Sequence, residues 1–256
     1  NLEAEIDAFK QMQDVHAFEI KPHKGHDGEA TAVVLASDWH TEEMVDPTTI
    51  NGLNEFSLEI AAERASAFFV NVGRLLAAKK KSVKVNTLIL ALLGDFISGY
   101  IHEELIETSQ LPPVEAIINV QNHIASGIKY LLANTDVRIV LPCHSGNHGR
   151  TTKRVHQATE RGNSLEYMMY HVLANEFHGE PRIEFAIAGG YHSHADIHGF
   201  KIRFHHGHNV RYQGGVGGIT IPVRKAIAQW NKSGQVDADC FGHFHQLVYG
   251  GNFICN

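Results

Sequence analysis

The chain has 256 residues, of which 43% are hydrophobic and 20% are charged, a composition typical of globular proteins that bury a full core. Its formal net charge of −6 argues against a protein that binds nucleic acid through overall positive charge. The three cysteines lie far apart and form no C-x-x-C pair, which indicates reduced thiols and a cytoplasmic location.

Three observations bear on the organisation of the chain. The longest apolar run, residues 88–93, is too short to cross a bilayer, and no basic-then-apolar leader is visible, so we expect no membrane association. No repeat or low-complexity linker divides the sequence, so residues 1–256 are predicted to form one domain. The last strand-like run, residues 247–255, stops without a turn, and we expect the native chain to continue beyond Asn256.

Hydrophobic periodicity predicts alternating strands and helices, followed by a region richer in strands. An amphipathic helix over residues 1–14 and a polar loop come first. Buried strands are then predicted over residues 31–37, 85–95 and 137–142, and helices over 54–81, 114–133 and 164–177. Four further strands are predicted over residues 182–188, 200–208, 238–246 and 247–255, with one helix over 221–230. This order predicts an α/β fold in which helices pack outside stacked sheets.

Polar motifs follow five of the apolar runs. They are Asp38-x-His40, Gly94-Asp95, Gly146-Asn147-His148, His205-His206-Gly207-His208 and Gly242-His243-x-His245. Each motif alone has an ordinary explanation, since Gly146-Asn147 is common turn chemistry and an aspartate can cap a helix. Because unpaired polar groups are costly to bury, five such motifs after buried runs predict a shared site instead.

The residue types in these motifs indicate metal ions. Residues i and i+2 of an extended segment point to one face, so we expect Asp38 to converge with His40, and His243 with His245. Imidazole nitrogens, carboxylates and an amide oxygen suit Mn²⁺, Fe or Zn²⁺. The set exceeds what one ion needs, which predicts two ions that share a carboxylate and assist in-line displacement at phosphorus.

The ordered motifs D-x-H, G-D, G-N-H, H-G-H and G-H-x-H, spread over residues 38–245, resemble those of the calcineurin-like metallophosphoesterases. The resemblance implies a four-layer α/β/β/α sandwich of two mixed sheets flanked by helices, with a dinuclear metal site at strand ends. It implies two divalent ions as cofactors, Mn²⁺ foremost, with Fe, Zn²⁺, Mg²⁺ or Ni²⁺ as alternatives.

The same resemblance assigns a role to each motif. It implies that His148 is the catalytic histidine, which contacts the phosphate and can protonate the leaving oxygen. The implied metal ligands are Asp38, His40 and His245 at the first ion, Asp95 as the bridge, and Asn147, His206 and His243 at the second ion.

Two positions depart from the family pattern near His148. Many members carry an acidic residue three positions after the bridging aspartate, where it orients the catalytic histidine, and here that position is Ser98. Many also follow G-N-H with an acidic residue, and here Gly149 and Arg150 follow. An imidazolium beside two dications needs a partner for its proton, so the strength of His148 as a general acid stays open. Ser98 and His208 are expected beside the ligands rather than on the ions.

Local charge is the remaining signal for the substrate. Residues 148–162 carry four basic side chains and one acidic one, and we expect Arg150, Lys153 and Arg154 to bind the phosphates of a DNA backbone. The alternative is that these basic residues lie at the solvent-exposed start of a helix and bind nothing. The segment favours a phosphodiesterase or nuclease of the DNA-repair exonuclease branch over a phosphatase for nucleotides or other monoesters. A non-catalytic scaffold is a third hypothesis, against which the complete ligand set argues.

Most of the nineteen histidines are expected to be structural or exposed. His205 should point away from the face that carries His206, because side chains alternate along a strand. His192, His194 and His198 lie in a predicted loop. They would form a third metal site only if their side chains converged, which a loop does not guarantee.

Overall fold

A computed structural model describes residues 17–21, 28–212 and 214–256. The helix predicted over residues 1–14 lies outside this range. Within it, the strands are β1 (Ala17–Ile20), β2 (Glu29–Ala36), β3 (Lys84–Leu92), β4 (Arg138–Cys143), β5 (Ile183–Ile187), β6 (Ser193–Ile197), β7 (Phe200–Phe204), β8 (Ala238–Phe241), β9 (Val248–Tyr249) and β10 (Phe253–Cys255). The α-helices are α1 (Leu58–Lys79), α2 (Glu103–Thr108), α3 (Pro113–Asn134), α4 (Leu165–Glu176) and α5 (Thr220–Trp230). Short 3₁₀ turns cover Pro47–Ile50, Gln157–Thr159 and Arg161–Asn163.

The strands form two sheets of different character. The four-stranded sheet has the order β2-β3-β4-β5 and is parallel throughout. The expectation of two mixed sheets is therefore wrong for this one. Helical crossovers join its successive strands, so every strand begins at the same end of the sheet and runs in the same direction. The six-stranded sheet has the order β1-β6-β7-β8-β10-β9 and is mixed, with antiparallel pairs β6–β7 and β9–β10.

Three groups of buried apolar side chains hold these elements together. Strand β3 shows the division, because Leu88, Leu90 and Leu92 face the helices while Ile89 and Ala91 face the mixed sheet. Burial of both faces explains why this strand is a continuous apolar run. The third group lies between helix α5 and the mixed sheet and includes Val223, Ile227, Phe241 and Phe253.

Helix ends follow ordinary capping chemistry. Ser57 precedes α1 and accepts a hydrogen bond from the main-chain nitrogen of Ile60. Ser164 precedes α4 and accepts one from Tyr167 in the same way. Such caps satisfy amide groups that have no partner inside the helix. No helix in the described ranges combines the length and apolarity that crossing a bilayer requires.

Several predicted boundaries are corrected by the structure. Strands predicted to run through residues 95, 208 and 246 end at Leu92, Phe204 and Phe241, so the polar motifs lie in the loops that follow. The predicted loop around residues 191–198 contains strand β6, and strand β1 and helix α2 were not predicted. The run over residues 247–255 is two short antiparallel strands, because Gly250-Gly251 turns the chain between them.

Candidate metal centre

The polar motifs meet where strands of both sheets end. Main-chain hydrogen bonds tie their loops together: Asp38 N donates to Gly94 O at 2.9 Å, and Gly242 N donates to His206 O at 2.8 Å. The structure thus brings together the seven predicted metal ligands and His148, which are Asp38 and His40 after β2, Asp95 after β3, Asn147 and His148 after β4, His206 after β7, and His243 and His245 after β8.

Most of these residues adopt an unusual backbone conformation. Seven non-glycine residues of the described ranges have positive φ, and five of them are predicted ligands: Asp38 (56°), His40 (45°), Asp95 (53°), His243 (73°) and His245 (50°). Convergence therefore comes from left-handed turns, and the expectation that i and i+2 side chains share the face of an extended segment is wrong. Strained backbone of this kind costs about 1–3 kcal/mol per residue and clusters at functional sites.

Two glycines allow the loops to approach each other closely. A Cβ at Gly146 would lie 2.1 Å from Oδ1 of Asp95, and one at Gly242 would lie 2.2 Å from Oδ2 of Asp38. Because neither glycine has a side chain, a carboxylate from the neighbouring loop can occupy the space that a Cβ would fill.

Potential ligand atoms fall into three overlapping clusters. In each cluster, one atom from each of three residues lies within 4.8 Å of the others. The clusters are Asp38, His40 and His245; His40, Asp95 and His148; and Asp95, His206 and His243. Asp95 belongs to two of them, so its carboxylate lies between the two ends of the site.

At one end of the site, Nε2 of His206, Oδ2 of Asp95 and Oδ1 of Asn147 face one another. Nδ1 of His206 lies 2.7 Å from the carbonyl oxygen of Leu93, which fixes a proton on that nitrogen. Its Nε2 faces Oδ2 of Asp95 at 2.9 Å and Oδ1 of Asn147 at 3.2 Å. Without a bound cation, burial opposes the imidazolium, but Asp95 outweighs burial and raises the pKa of His206 to about 9. A cation at this point would hold all three acceptors with His206 neutral.

At the other end, buried acceptors lack donors. Oδ1 of Asp38 and Nε2 of His40 are both inaccessible and make no hydrogen bond within the described ranges. Burial lowers the pKa of His40 to about 4, so its imidazole is neutral, the form that binds metals. Nδ1 of His40 lies 3.0 Å from Oγ of Ser98, which can accept its proton and leave Nε2 for an ion.

These features fit a pair of divalent cations. Among ion pairs in the described part of the chain, those of Asp38 and Asp95 involve only histidines, His245 and His206 respectively. Two buried carboxylates without a lysine or arginine partner need another positive charge. Carboxylate, imidazole and amide ligands in one site suit Mn²⁺, Fe or Zn²⁺.

His148 is held by main-chain groups. Its ring Nδ1 lies 2.8 Å from the carbonyl oxygen of Ser98, and its main-chain nitrogen donates to Oδ1 of Asp95 at 2.7 Å. The carbonyl requires a proton on Nδ1, which leaves Nε2 as the nitrogen available to a substrate. Ser98 thus contacts two histidines, His40 through its hydroxyl and His148 through its carbonyl.

Sequence reasoning missed two buried glutamates that hold the loops around Asp95 and His148. Oε1 of Glu42 accepts hydrogen bonds from the main-chain nitrogens of Ser98 and Gly99, at 2.7 and 2.9 Å. The carboxylate of Glu166 accepts one from Phe96 and one from Gly146, both at 2.7 Å. Neither carried a signal, because Glu42 lies in a polar loop and an acidic residue in the first turn of a helix is ordinary.

His208 lies next to the end of the site that contains His206 and His243. Its ring is 5.4 Å from that of His206 and 6.3 Å from that of His243. Its Nε2 is 3.4 Å from Oε1 of Glu160, whose pKa burial raises to about 7. His208 therefore contacts the ligands, and no cluster of three metal-binding groups in the described ranges includes it.

His205 points away from the site, as alternation predicts. It is buried with its ring stacked on Phe241 and near Trp230, and its Nε2 is 3.4 Å from Asp239. His192, His194 and His198 do not converge: His198 bonds to Thr31, and no metal-binding cluster in the described ranges contains any of the three.

The basic residues after His148 differ from one another. Arg150 is half-buried and donates to the carbonyl oxygens of Asn147 and Thr152, so its guanidinium helps to hold the loop. Lys153 and Arg154 are exposed. Of the three predicted phosphate contacts, Arg150 uses its charged group to bond the main chain. In the described structure, the charged groups of Lys153 and Arg154 make no such bond.

Two open grooves, each of about 600 Å³, flank the centre. One begins at His148 and is lined by residues that include Tyr100, His102 and Lys153. The other begins at Asn147 and His243. Its wall includes His156, Gln157, His208 and Asn209. The centre is therefore accessible from both sides.

No protein-family model matches this sequence, and no curated protein matches it. Among solved structures, the chain is similar to the crystal structure of a protein of unknown function, AQ665, from Aquifex aeolicus. The two share 15% sequence identity over 89% of each chain, with a TM-score of 0.34. A likeness at this level carries no functional conclusion.

Proposed function

We propose that this chain is a calcineurin-like metallophosphoesterase that hydrolyses phosphodiesters, with DNA as its substrate. The observation that carries the proposal is the set of left-handed turns that direct buried carboxylates and imidazoles toward two points joined by Asp95. The three apolar groups, one of them between the sheets, support the four-layer sandwich that this family implies.

Each side chain has a definite task in this proposal. Asp38, His40 and His245 would hold one divalent ion. Asn147, His206 and His243 would hold another, with Asp95 between them. When bound, the two ions supply positive charge for the phosphoryl oxygens and lower the pKa of the attacking water.

His148 acts on the substrate. With Nδ1 donating to Ser98, the imidazolium form of the ring also carries a proton on Nε2, which it can donate to a phosphoryl or leaving oxygen. The hydrogen bond from its main-chain nitrogen to Asp95 fixes its position relative to the ion-binding carboxylate. A group placed in this way contributes about a hundredfold or more to the rate.

The two grooves favour a diester over a monoester. A phosphodiester has a substituent on each side of phosphorus, and a groove leads away from the centre on each side. Lys153 lines one of these grooves, where a neighbouring phosphate of a polynucleotide would pass. A monoester would leave one groove unused.

A phosphomonoesterase for nucleotides is the alternative, supported by Gln157 and Asn209, whose amides pair in one groove and could hydrogen-bond a base. A non-catalytic scaffold has less support, because it gives no reason for seven convergent ligands.

A metal-reconstituted activity screen tests the proposal. The chain would be freed of metal, loaded with Mn²⁺, Fe²⁺, Zn²⁺, Mg²⁺ or Ni²⁺, and offered a bis-ester, a mono-ester and single- and double-stranded oligonucleotides. We expect cleavage of the bis-ester and of oligonucleotides, and none by the Asp95→Asn variant. Hydrolysis of mononucleotides alone would favour the phosphatase, and no hydrolysis with any of the five metals would overturn the proposal.

A further inference from the structure

The peptide group between Ser98 and Gly99 connects a buried carboxylate to the ring of His148. Its carbonyl oxygen, that of Ser98, lies 2.8 Å from Nδ1 of His148. Its N–H, that of Gly99, donates to Oε1 of Glu42 at 2.9 Å. In a trans peptide these two groups lie in the peptide plane and point in opposite directions, so His148 and Glu42 lie at opposite edges of one rigid peptide.

We propose that Glu42 is a positioning residue for His148, acting through the Ser98–Gly99 peptide in the place of an acidic side chain at position 98. The inference rests on the proposed function of the site. Glu42 does not touch the substrate in this account; it fixes the plane of the peptide whose carbonyl holds the histidine.

Two hydrogen bonds make Glu42 an effective anchor. Its Oε1 also accepts the main-chain N–H of Ser98 at 2.7 Å, so the loop cannot rotate without breaking both bonds. Hydrogen bonds to a charged acceptor are stronger than neutral ones. The bond from the Gly99 N–H also polarises the Ser98–Gly99 peptide, which makes the Ser98 carbonyl a better acceptor for His148.

Gly99 also packs closely against the main chain of His148. Gly99 has φ of +60°, and a Cβ there would lie 2.6 Å from the carbonyl oxygen of His148. The main chain of His148 therefore rests directly on Gly99. Ring and backbone of the histidine therefore both contact the peptide that Glu42 holds.

In the described part of the chain, no side chain pairs with the carboxylate of Glu42. The residue is 0% exposed, and its Oε2 makes no hydrogen bond within the described ranges. Apart from its own main chain, its hydrogen bonds in the described ranges are those from the main chain of Ser98 and Gly99. A role in holding this loop accounts for a buried acid that otherwise has no stabilising ion pair.

Glu166 is the matched control. It is equally buried and also accepts two main-chain N–H groups, at Phe96 and Gly146. Those groups belong to the loops that carry the ligands Asp95 and Asn147, and neither contacts the ring of His148. Replacing Glu166 should therefore weaken metal binding, whereas replacing Glu42 should act mainly through His148, with a smaller effect on the proposed ligand His40 through the Ser98 hydroxyl.

The first test is a double-mutant cycle on the metal-loaded protein. We expect Glu42→Ala to lower kcat, expressed per bound ion because Ser98 also contacts His40, by about 10- to 100-fold, the range for groups that orient the residues of a metal site. Glu42→Gln keeps the accepting oxygen and should recover most of the rate. In a His148→Ala background, Glu42→Ala should cost less than about twofold, because its target is gone. Glu166→Ala should keep its full effect in that background. Equal losses from Glu42→Ala in both backgrounds would overturn the proposal.

The second test needs neither metal nor substrate. Long-range ¹H–¹⁵N spectra of the metal-free protein, assigned by comparison with His148→Ala, report which ring nitrogen of His148 carries the proton. We expect the Nδ1–H tautomer in the wild type, in Glu42→Gln and in Glu166→Gln, and a mixture of tautomers in Glu42→Ala. If no phosphoester is hydrolysed, the proposed function fails while this measurement still decides the role of Glu42. An unchanged His148 spectrum in Glu42→Ala would refute the positioning role.

Discussion

Oδ1 of Asp95 accepts a hydrogen bond from the main-chain nitrogen of His148 at 2.7 Å. Oδ2 of the same carboxylate faces Nε2 of His206 at 2.9 Å. One oxygen thus sets the position of the proposed catalytic histidine, and the other is directed at the proposed ion sites. A change at Asp95 should disturb both, whereas a change at His148 should leave the ion sites alone.

Asp95→Asn should abolish hydrolysis and reduce the bound metal below two ions per chain, while the fold persists. The amide oxygen can still accept the hydrogen bond from His148, but a neutral group cannot offset the charge of two dications. Elemental analysis and an activity assay would measure both effects, with the exposed Asp136→Asn as the control. Two ions per chain together with full activity would exclude the bridging role.

His148→Ala should lower turnover by about a hundredfold or more and leave the metal content near that of the wild type. If the ring protonates the leaving oxygen, the loss should be smaller for nitrophenolate than for an alkoxide, because nitrophenolate leaves without a proton. A series of aryl and alkyl phosphodiesters would measure this dependence. Losses that do not vary with the leaving group would indicate that His148 acts only through its charge.

Replacing Lys153 and Arg154 together by Ala should weaken oligonucleotide binding and reduce its salt dependence by up to about two counterions. Cleavage of a small nitrophenyl ester should barely change, because its only phosphate would lie at the ions. Lys79→Ala with Lys81→Ala removes the same charge from the end of α1 and serves as the control. Equal loss of both activities would mean that Lys153 and Arg154 support the fold.

Arg150 should behave differently from its two neighbours. Because its guanidinium donates to main-chain carbonyls on either side of the loop, Arg150→Ala should lower activity on the small ester as well. Arg150→Lys cannot make both bonds and should rescue little. Steady-state rates on both substrates would show this, and a loss confined to oligonucleotides would restore Arg150 as a phosphate contact.

Gly146→Ala should weaken metal binding by about tenfold or more, in the range seen when groups that orient ligands are changed. The added Cβ would lie 2.1 Å from Oδ1 of Asp95, so the carboxylate or the loop must move. Titration calorimetry with Mn²⁺ measures the affinity. Gly162→Ala is the control, because nothing lies within 4 Å of its Cβ. Equal affinities in the two variants would contradict the close approach of the loops.

Asp239→Asn should destabilise the fold by about 3–5 kcal/mol near neutral pH, because it leaves the guanidinium of Arg203 buried without its counterion. Burial alone would raise the pKa of Asp239, but His205 and Arg203 outweigh it and lower that pKa. The contribution is therefore complete above the unfolded pKa of about 3.9 and is lost as pH falls through the lower folded value. Urea unfolding from pH 7 to pH 2 should show a shallower acid dependence in the variant.

The surface pair of Arg138 and Glu184 provides the comparison for this prediction. Both side chains are partly exposed, so Glu184→Gln should cost about 1 kcal/mol or less. A similar cost for Asp239→Asn would mean that the buried pair contributes no more than a surface one.

The sequence alone determined the strands of the parallel sheet and the longer helices, and it determined which polar residues follow the buried strands. It missed β1 and β6, although Ile20, Ala195 and Ile197 belong to the core. Long apolar runs such as β3 have no alternative to burial, and their ends are marked by Gly94-Asp95 and Gly146-Asn147. The residues that converge were therefore predictable from chemistry: imidazoles and carboxylates after buried strands, in a set too large to be accidental.

The tertiary structure alone decided how those residues converge and what supports them. Left-handed turns at Asp38 and His243, rather than extended strands, direct the side chains inward, and a residue type does not specify such a φ. Glu42 and Glu166 bond to amides far away in the chain, so no local pattern reveals them. The partner of His148 is a main-chain carbonyl, which every residue possesses, and only the fold determines which carbonyl faces the ring.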